Sequence, residues 1–169
     1  IVSAPGYVFS VNGIELKGAA YVYLGSANGL SATPAATLNS NQVSSLFGYR
    51  VAAAGDVNDD GYDDVLVSAP QYDGDQPAEG AVFLYYGNPV GVSSKAGFTA
   101  YGDKADAELG WGLGGGSDFN FDGFADIIAG APPYKMDDKT PVGRAMAYYG
   151  DDSGDPGGIL TVFLPLVNR

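Results

Sequence analysis

Two stretches of the chain carry oxygen-bearing side chains at a spacing that could bind a metal ion. In residues 56–64 and again in residues 118–126, loop positions 1, 3, 5 and 9 are Asp, Asn, Asp and Asp, and position 6 is Gly. A hard cation such as Ca²⁺ takes six to eight oxygens at about 2.3–2.6 Å, so a surrounding loop must offer an oxygen at nearly every second residue. We therefore predict two calcium sites, with ligands from Asp56, Asn58, Asp60, Tyr62 and Asp64, and from Asp118, Asn120, Asp122, Phe124 and Asp126.

Positions 6 and 7 of each loop have a backbone role. Gly61 and Gly123 permit a sharp turn, because glycine reaches positive φ without a clash from Cβ. Tyr62 and Phe124 can offer only their backbone carbonyl oxygens, and we expect their rings to pack into the core. Acidic loops with a glycine also occur as surface turns that bind nothing, but two copies with the same order of ligands favour a metal site.

The flanking residues exclude an EF-hand. An EF-hand needs a bidentate Glu at position 12 and a helix on each side, whereas position 12 here is Val67 or Ala129. Each loop is followed by a short apolar run that is rich in β-branched residues and ends at proline, at Pro70 or Pro132. This pattern is typical of a buried strand.

The loops lie within a longer repeat of 62 to 65 residues. A strand followed by a turn is predicted three times, at residues 3–5, 68–70 and 130–132. An aromatic strand between glycines follows it each time, at residues 18–25, 80–87 and 143–150, and a further strand is predicted at residues 35–38, 97–101 and 159–164. Residues 47–51 and 109–113 are each predicted to be a strand that leads into a loop. Four short antiparallel strands per repeat are typical of an all-β fold, with each repeat a β-propeller blade.

The repeat resembles a known family. Phe47-Gly48, a loop of the form DxNxDGxxD and Ser68-Ala69-Pro70 together resemble the FG-GAP repeat, which is the blade of the integrin α-subunit propeller and of related bacterial surface proteins. The second full repeat departs from it in having Leu109 in place of Phe. The resemblance implies that the loop residues named above are calcium ligands, and that the chain is one propeller segment with a partial blade at 1–46 and blades at 47–108 and 109–169.

The predicted ring is incomplete. Propellers close with about four to eight blades, whereas the chain carries two full repeats and a partial one that lacks its first strand and its calcium loop. Open side faces expose apolar surface, which monomers rarely tolerate. We therefore expect further blades from the same chain or from other chains. The chain begins at Ile1, inside a strand pattern and without an initiating Met, so we expect it to be processed or trimmed.

The aromatic strand residues have two interpretations. They could form a platform on which carbohydrate stacks, but their recurrence at one position of the repeat favours packing between blades. The residues are Tyr21, Tyr23, Phe83, Tyr85, Tyr148 and Tyr149. Trp111 occupies the repeat position of Tyr49, so we expect it to be structural too.

Composition excludes several classes of function. The formal charge is −12 and the eight Lys and Arg residues are scattered, so nucleic acid and anionic membranes are poor partners. No apolar run approaches the ~20 residues of a membrane-spanning helix. The chain has no His and no Cys, which excludes catalytic triads of the usual serine and cysteine types. We therefore expect a binding protein rather than an enzyme.

By its resemblance, the chain is expected to be an extracellular adhesion or recognition module that meets a protein or glycan through loops on the propeller face. Calcium loops of modest affinity fill where Ca²⁺ is millimolar, which also favours a secreted or cell-surface location. Three alternatives remain: a non-catalytic propeller of a secreted hydrolase or lyase, a structural subunit of a cell-surface assembly, and an enzyme with its site on the propeller face.

Overall fold

The computed structural model describes residues 1–11, 14–135, 142–153 and 159–163, and this part of the chain is built from short strands. The strands are β1 (Val2–Val11), β2 (Ile14–Val22), β3 (Gly25–Ser26), β4 (Gly29–Leu30), β5 (Ala36–Asn39), β6 (Val51–Gly55), β7 (Asp64–Ala69), β8 (Ala81–Tyr85), β9 (Gly87–Asn88), β10 (Gly91–Val92), β11 (Phe98–Tyr101), β12 (Gly112–Ser117), β13 (Asp126–Ala131), β14 (Arg144–Tyr148) and β15 (Ile159–Phe163). No helix that could span a membrane is found among the described residues.

The strands form three main antiparallel sheets, one for each repeat. The orders are β1-β2-β5, β11-β8-β7-β6 and β12-β13-β14-β15, so strands that follow each other along the chain are neighbours in the sheet. The pairs β3–β4 and β9–β10 are small separate hairpins. The all-β prediction is confirmed, and so is the further strand of each repeat, which lies at β5, β11 and β15.

The prediction of strands at residues 47–51 and 109–113 is wrong for their first residues. Phe47-Gly48 and Gly110 lie in turns, and the strands begin only at Val51 and Gly112. The reason is local geometry, because Gly48 has φ 83° and Gly110 has φ 105°, values that a regular strand does not contain. Each turn is held to the strand beside it, since Gly48 N donates to Ser68 O at 2.9 Å.

The turn predicted at residues 3–5 is also wrong. Strand β1 continues through Pro5 to Val11 and pairs with β2 over most of its length. A register shift between Ala4 and Val8 marks a bulge or irregularity at this point. Proline is tolerated there because β1 is the edge strand of its sheet. On the outer side of an edge strand, a missing backbone N–H breaks no hydrogen bond to a neighbouring strand.

Apolar side chains between successive sheets form the core. Between the first two sheets lie Ala20, Val22, Leu38, Phe47, Val67, Ala69 and Tyr85, all buried. A larger cluster joins the second sheet to the third and includes Leu66, Leu84, Leu109, Ile127, Met146 and Tyr148. Alternate residues of β7 therefore serve opposite interfaces, as the pleat of a strand requires.

The aromatic residues belong to this packing. The Phe47 and Phe83 ring centroids are 5.5 Å apart, and those of Phe98 and Tyr148 are also 5.5 Å apart. Tyr49 and Trp111, which share a repeat position, contact each other edge to face at 4.8 Å. The packing interpretation is thus confirmed for Phe83, Tyr148 and Trp111.

Neighbouring sheets approach closely at a recurring glycine, which is Gly80 just before β8 and Gly18 within β2. A Cβ on Gly80 would lie 2.2 Å from Leu109 N, and one on Gly18 would lie 2.1 Å from Phe47 O. Leu109 N also donates to Glu79 O at 2.9 Å. The backbone of one sheet therefore rests directly on the turn that opens the next repeat.

One buried cation adds a polar link between the second and third sheets. Arg144, at the start of β14, is buried, and its Nη1 lies 2.8 Å from Asp103 Oδ2. Its Nη2 donates to Gly102 O at 2.7 Å, and its guanidinium carbon lies 4.1 Å from the centroid of the Tyr134 ring. The buried charge thus has both an acidic partner and an aromatic face.

Replacement of Gly80 by alanine should separate the sheets. Gly80→Ala adds a Cβ against Leu109 N at a residue with φ 78°, so we expect it to lower the free energy of unfolding by about 3 kcal/mol or more, from left-handed strain plus overpacking. Gly29→Ala is the matched control, because Gly29 has φ 102° but no atom of the described residues lies within 4 Å of its Cβ position. It should cost only about 1–2 kcal/mol. Equal losses in urea unfolding would contradict the close-approach argument.

Candidate metal centres

The first loop, residues 56–64, closes on itself through its own carboxylates. Asp56 accepts hydrogen bonds from Asp60 N at 3.0 Å and from Gly61 N at 2.8 Å. Asp60 Oδ1 accepts from Tyr62 N at 3.0 Å, and its Oδ2 accepts from Asn58 Nδ2 at 3.1 Å. The predicted ligand side chains at positions 1, 3 and 5 are therefore gathered around one turn of backbone.

The second loop, residues 118–126, repeats this arrangement. Asp118 accepts from Asp122 N at 3.2 Å and from Gly123 N at 2.9 Å. Asp122 accepts from Phe124 N at 3.0 Å and from Asn120 Nδ2 at 2.6 Å. Since the same bonds form from two different sequences, the positions of the oxygen atoms follow from the shared ligand pattern.

The acid at position 9 ties each loop to its sheet. Asp64 and Asp126 are fully buried. Asp64 accepts from Val57 N at 3.0 Å, inside the loop, and from Gly87 N at 2.8 Å, just beyond β8. Asp126 accepts from Phe119 N and, at 3.0 Å, from Gly150 N. Both oxygens of each buried carboxylate are thus satisfied by backbone amides, as a buried polar group requires.

Burial also changes the acidity of Asp64. Its removal from water raises its pKa from 3.8 to about 6, although hydrogen bonds from Gly87 and Val57 lower the pKa and the nearby Asp60 and Asp56 charges raise it. A buried carboxylate beside two further acids favours the neutral form unless positive charge lies nearby. The first loop therefore brings three acidic side chains together, and a bound cation would offset their negative charge.

The glycine at position 6 behaves as the sequence predicts, whereas one ring does not. Gly61 has φ 89° and Gly123 has φ 100°, and in the described part of the chain no atom lies within 4 Å of the position of a Cβ on either. Phe124 is half-buried, but the Tyr62 side chain is 41% exposed. The expectation that the Tyr62 ring packs into the core is wrong, because this loop lies at the rim of its sheet and the Tyr62 side chain faces solvent there.

Two features of the loops were missed by sequence reasoning. Position 4 is left-handed in both, with φ 53° at Asp59 and φ 63° at Phe121. Position 2 of the first loop, Val57, is fully buried against the third sheet. The alternation of Val57 with polar neighbours was the available signal for its burial, whereas a left-handed Phe carries no sequence signal because β-branched and bulky residues rarely adopt positive φ.

The donor set suits a hard divalent cation. The buried Oδ1 of Asn58 has no hydrogen-bond partner among the described residues. A carboxylate has about four lone-pair sites, of which the loop amides use only some. Asp and Asn oxygens are the ligands that Ca²⁺ prefers. Within the described ranges, however, no three or more His, Cys, Asp or Glu side chains form a metal-binding group, so any such site must also use Asn and backbone oxygens.

Comparisons with known proteins agree with the repeat. The family model described as FG-GAP repeat matches residues 47–85 and 109–163. Integrin alpha-5 of Xenopus laevis is 33% identical over 122 residues, which are 70% of this chain and 11% of that protein. Human integrin alpha-7 is 35% identical over 132 residues, which are 78% of this chain and 10% of that protein. Mouse integrin alpha-E is 34% identical over 139 residues, which are 78% of this chain and 12% of that protein. The chain spans about a tenth of the length of these relatives.

The raised pKa of Asp64 predicts how stability depends on pH when no cation is bound. The folded protein holds this proton more tightly than the unfolded chain, whose carboxyl titrates near 3.8. The contribution of Asp64 to the free energy of unfolding should therefore be greatest below pH ~4, fall as the pH rises to about 6, and stay constant above. Carboxyl ¹³C NMR in EGTA should give a midpoint near 6 for a resonance that Asp64→Asn removes. A midpoint at or below 3.8 would contradict this burial argument.

Proposed function

Because the chain belongs to the FG-GAP repeat family, whose repeats form β-propeller blades, we propose that it is a calcium-binding propeller segment that acts as an extracellular adhesion or recognition module. Its similarity to integrin alpha subunits supports a binding role rather than catalysis. The observation that carries the proposal is the pair of loops with one oxygen pattern and one hydrogen-bond pattern, each anchored by a buried aspartate. In the proposed propeller segment, residues 1–46 form a partial blade, and residues 47–108 and 109–169 each form a full blade.

The ligand residues in this proposal are those predicted from the loop pattern. Asp56, Asn58, Asp60, the Tyr62 carbonyl and Asp64 hold one ion, and Asp118, Asn120, Asp122, the Phe124 carbonyl and Asp126 hold the second. When bound, Ca²⁺ would supply positive charge that neutralises the clustered carboxylates. Asp64 and Asp126 would then transmit the fixed loop geometry to Gly87 and Gly150, at the ends of the third strands.

The partner would meet the loops at the opposite end of the sheets. Strands β6 and β7 meet at the first metal loop, so the connections at residues 70–80 and 102–111 lie at the other end. They surround a depression of about 400 Å³ lined by Gly74, Asp75, Gln76, Glu79, Tyr101 and Asp103. Its acidic lining suits a cationic group on a protein or glycan partner.

Further blades, from the same chain or from other chains, are also part of the proposal. Ile128 is 42% exposed on the open face of the third sheet, whereas its repeat equivalent Leu66 is fully buried against the next sheet. Phe119 is 45% exposed, whereas its equivalent Val57 is fully buried. The repeat therefore favours another blade, with its own opening turn, as the cover for this face.

Removal of calcium should lower the thermal stability of the protein. If the ion binds only the folded chain, each site adds about 2.7 kcal/mol at a hundredfold excess over its dissociation constant. We expect the unfolding midpoint to rise with Ca²⁺, to fall in EGTA, and to lose this dependence when Asp60→Ala and Asp122→Ala are combined.

Asp63→Ala is the matched control for this measurement. It removes one negative charge at an exposed position of the same loop that lies outside the ligand pattern, so the calcium-dependent shift should remain. Absence of any calcium effect on the unmodified protein would overturn the proposed ion sites. If Asp63→Ala removes the calcium-dependent shift of the unfolding midpoint as fully as the combined ligand variants do, the effect comes from the negative charge of the loop in general and not from the proposed ligands.

The open face of the third sheet predicts self-association of the protein where no further blade covers it. Ile128→Lys should reduce the associated mass measured by sedimentation, because a charge at an apolar interface is costly to desolvate. Val90→Lys is the control, since Val90 is 78% exposed in the loop between β9 and β10 and should leave the mass unchanged. A monomer at all concentrations, or an equal effect of both variants, would contradict self-association through this face.

A further inference from the structure

The two candidate metal loops are in direct contact. Ala125, at position 8 of the second loop, donates its N–H to the carbonyl of Asp56, at position 1 of the first, at 3.1 Å. Around this bond the backbone is tightly packed, because a Cβ on Gly55 would lie 2.8 Å from Ala125 Cβ and 3.0 Å from Gly116 Cα. Neither loop can shift far without moving the other.

A second close contact lies beside the first. A Cβ on Gly150 would lie 2.6 Å from Val57 O and 2.5 Å from Ala125 O, so Gly150 is wedged between the two loops. The same glycine donates its N–H to Asp126, the position-9 acid of the second loop, at 3.0 Å. The second loop is therefore anchored by a residue that also contacts the backbone of the first.

The peptide unit between Phe124 and Ala125 links the two sites most directly. Its carbonyl, from Phe124, is a proposed ligand of the second site. Its N–H, from Ala125, is bonded to Asp56, whose side chain is a proposed ligand of the first site. A peptide unit is planar, so the direction of this carbonyl and the direction of this N–H cannot be set independently.

We propose that the two cation sites are thermodynamically coupled, so that a cation bound in one loop raises the affinity of the other. The coupling rests on the proposed ion sites and adds to them a pathway between loops. Once the second loop is ordered, its Ala125 N–H is held in place for Asp56, and the first loop loses less conformational freedom when it binds. By linkage, the first site raises the affinity of the second by the same factor.

The sign of the coupling follows from the shared peptide unit. A positive charge at the Phe124 carbonyl would polarise the peptide and strengthen the Ala125 N–H as a donor, because hydrogen-bonded groups polarise one another. A stronger bond to the Asp56 carbonyl steadies the residue whose carboxylate opens the first loop. Repulsion between two ions opposes this effect but is screened by the carboxylates of each loop and by salt.

Calorimetric titration with Ca²⁺ tests the proposal on the EGTA-treated, desalted protein. Asp60→Ala should leave only the second site, and Asp122→Ala only the first. We expect the unmodified protein to bind two ions, with a product of association constants at least about fivefold larger than the product for the two single-site variants, the lower end of typical couplings. A titration equal to the sum of the two variants would overturn the coupling while leaving the proposed ion sites intact.

The linking hydrogen bond can be removed without changing a ligand side chain. Ala125→Pro deletes the N–H that reaches Asp56, and the product of the two constants should fall to the uncoupled value while two ions still bind. Asp63→Pro is the matched control, since it makes the same change at position 8 of the first loop, where the described chain has no preceding metal loop. It should leave the coupling in place.

The outcomes separate the coupling from the ion sites themselves. Loss of coupling in both proline variants would show that the effect comes from local loop geometry and would overturn the role of the Ala125 bond. If Ala125→Pro does not fold, by circular dichroism, the comparison of the two single-site variants still decides whether coupling exists. Failure of the unmodified protein to bind any ion would overturn the coupling and the proposed function together.

Discussion

The packing of successive sheets depends on a backbone contact that excludes side chains. At Gly80 the chain passes so close to Leu109 that no Cβ fits, and the same is true of Gly18 and Phe47. The turn that opens each repeat is thereby placed against the preceding sheet, and its apolar residue, Phe47 or Leu109, is fully buried between the sheets. Because the sheets meet through backbone, small changes at these glycines affect the interface directly.

The loops obtain their geometry from the same arrangement. Strands β6 and β12 run from the opening turns to the first residue of a loop, and the buried Asp64 and Asp126 fasten the last residue of each loop to the end of a third strand. A buried carboxylate that is satisfied by two amides is costly to displace. Each loop is thus held at both ends by its own sheet, while its intervening carboxylates accept hydrogen bonds from the loop itself.

The contact between loops makes the sites parts of one structure. Repeat proteins gain stability from each unit and from the interface between neighbours, and here that interface includes Asp56 and Ala125, which belong to two loops. The far end of the sheets carries different chemistry, with the acidic side chains of Asp75, Glu79 and Asp103 around a depression. The proposed ion sites and the proposed recognition surface therefore lie at opposite ends of the same strands.

The repeat was readable from sequence because its signals are local. The loop pattern at residues 56–64 and 118–126, the glycine-bounded aromatic strands and the β-branched runs depend on neighbours a few residues apart, and they correctly predicted the all-β sheets and their order along the chain. The strand predicted through Phe47-Gly48 was wrong because the chain turns there: Gly48 has φ 83°, and a Cβ on it would lie 2.8 Å from Ala19 O of another sheet. Sequence pattern does not show this close approach to a distant residue.

Only the tertiary structure decided which residues at equivalent repeat positions differ in burial. Val57 and Phe119 share a repeat position, yet Val57 is buried by the next sheet and Phe119 is exposed, since no following sheet covers it in the described chain. The raised pKa of Asp64 and the bond from Ala125 to Asp56 likewise arise from residues brought together by folding. The sequence by itself determined the repeat, the strands and the oxygen pattern of the loops, whereas burial and contacts between repeats came from the fold because they depend on distant neighbours.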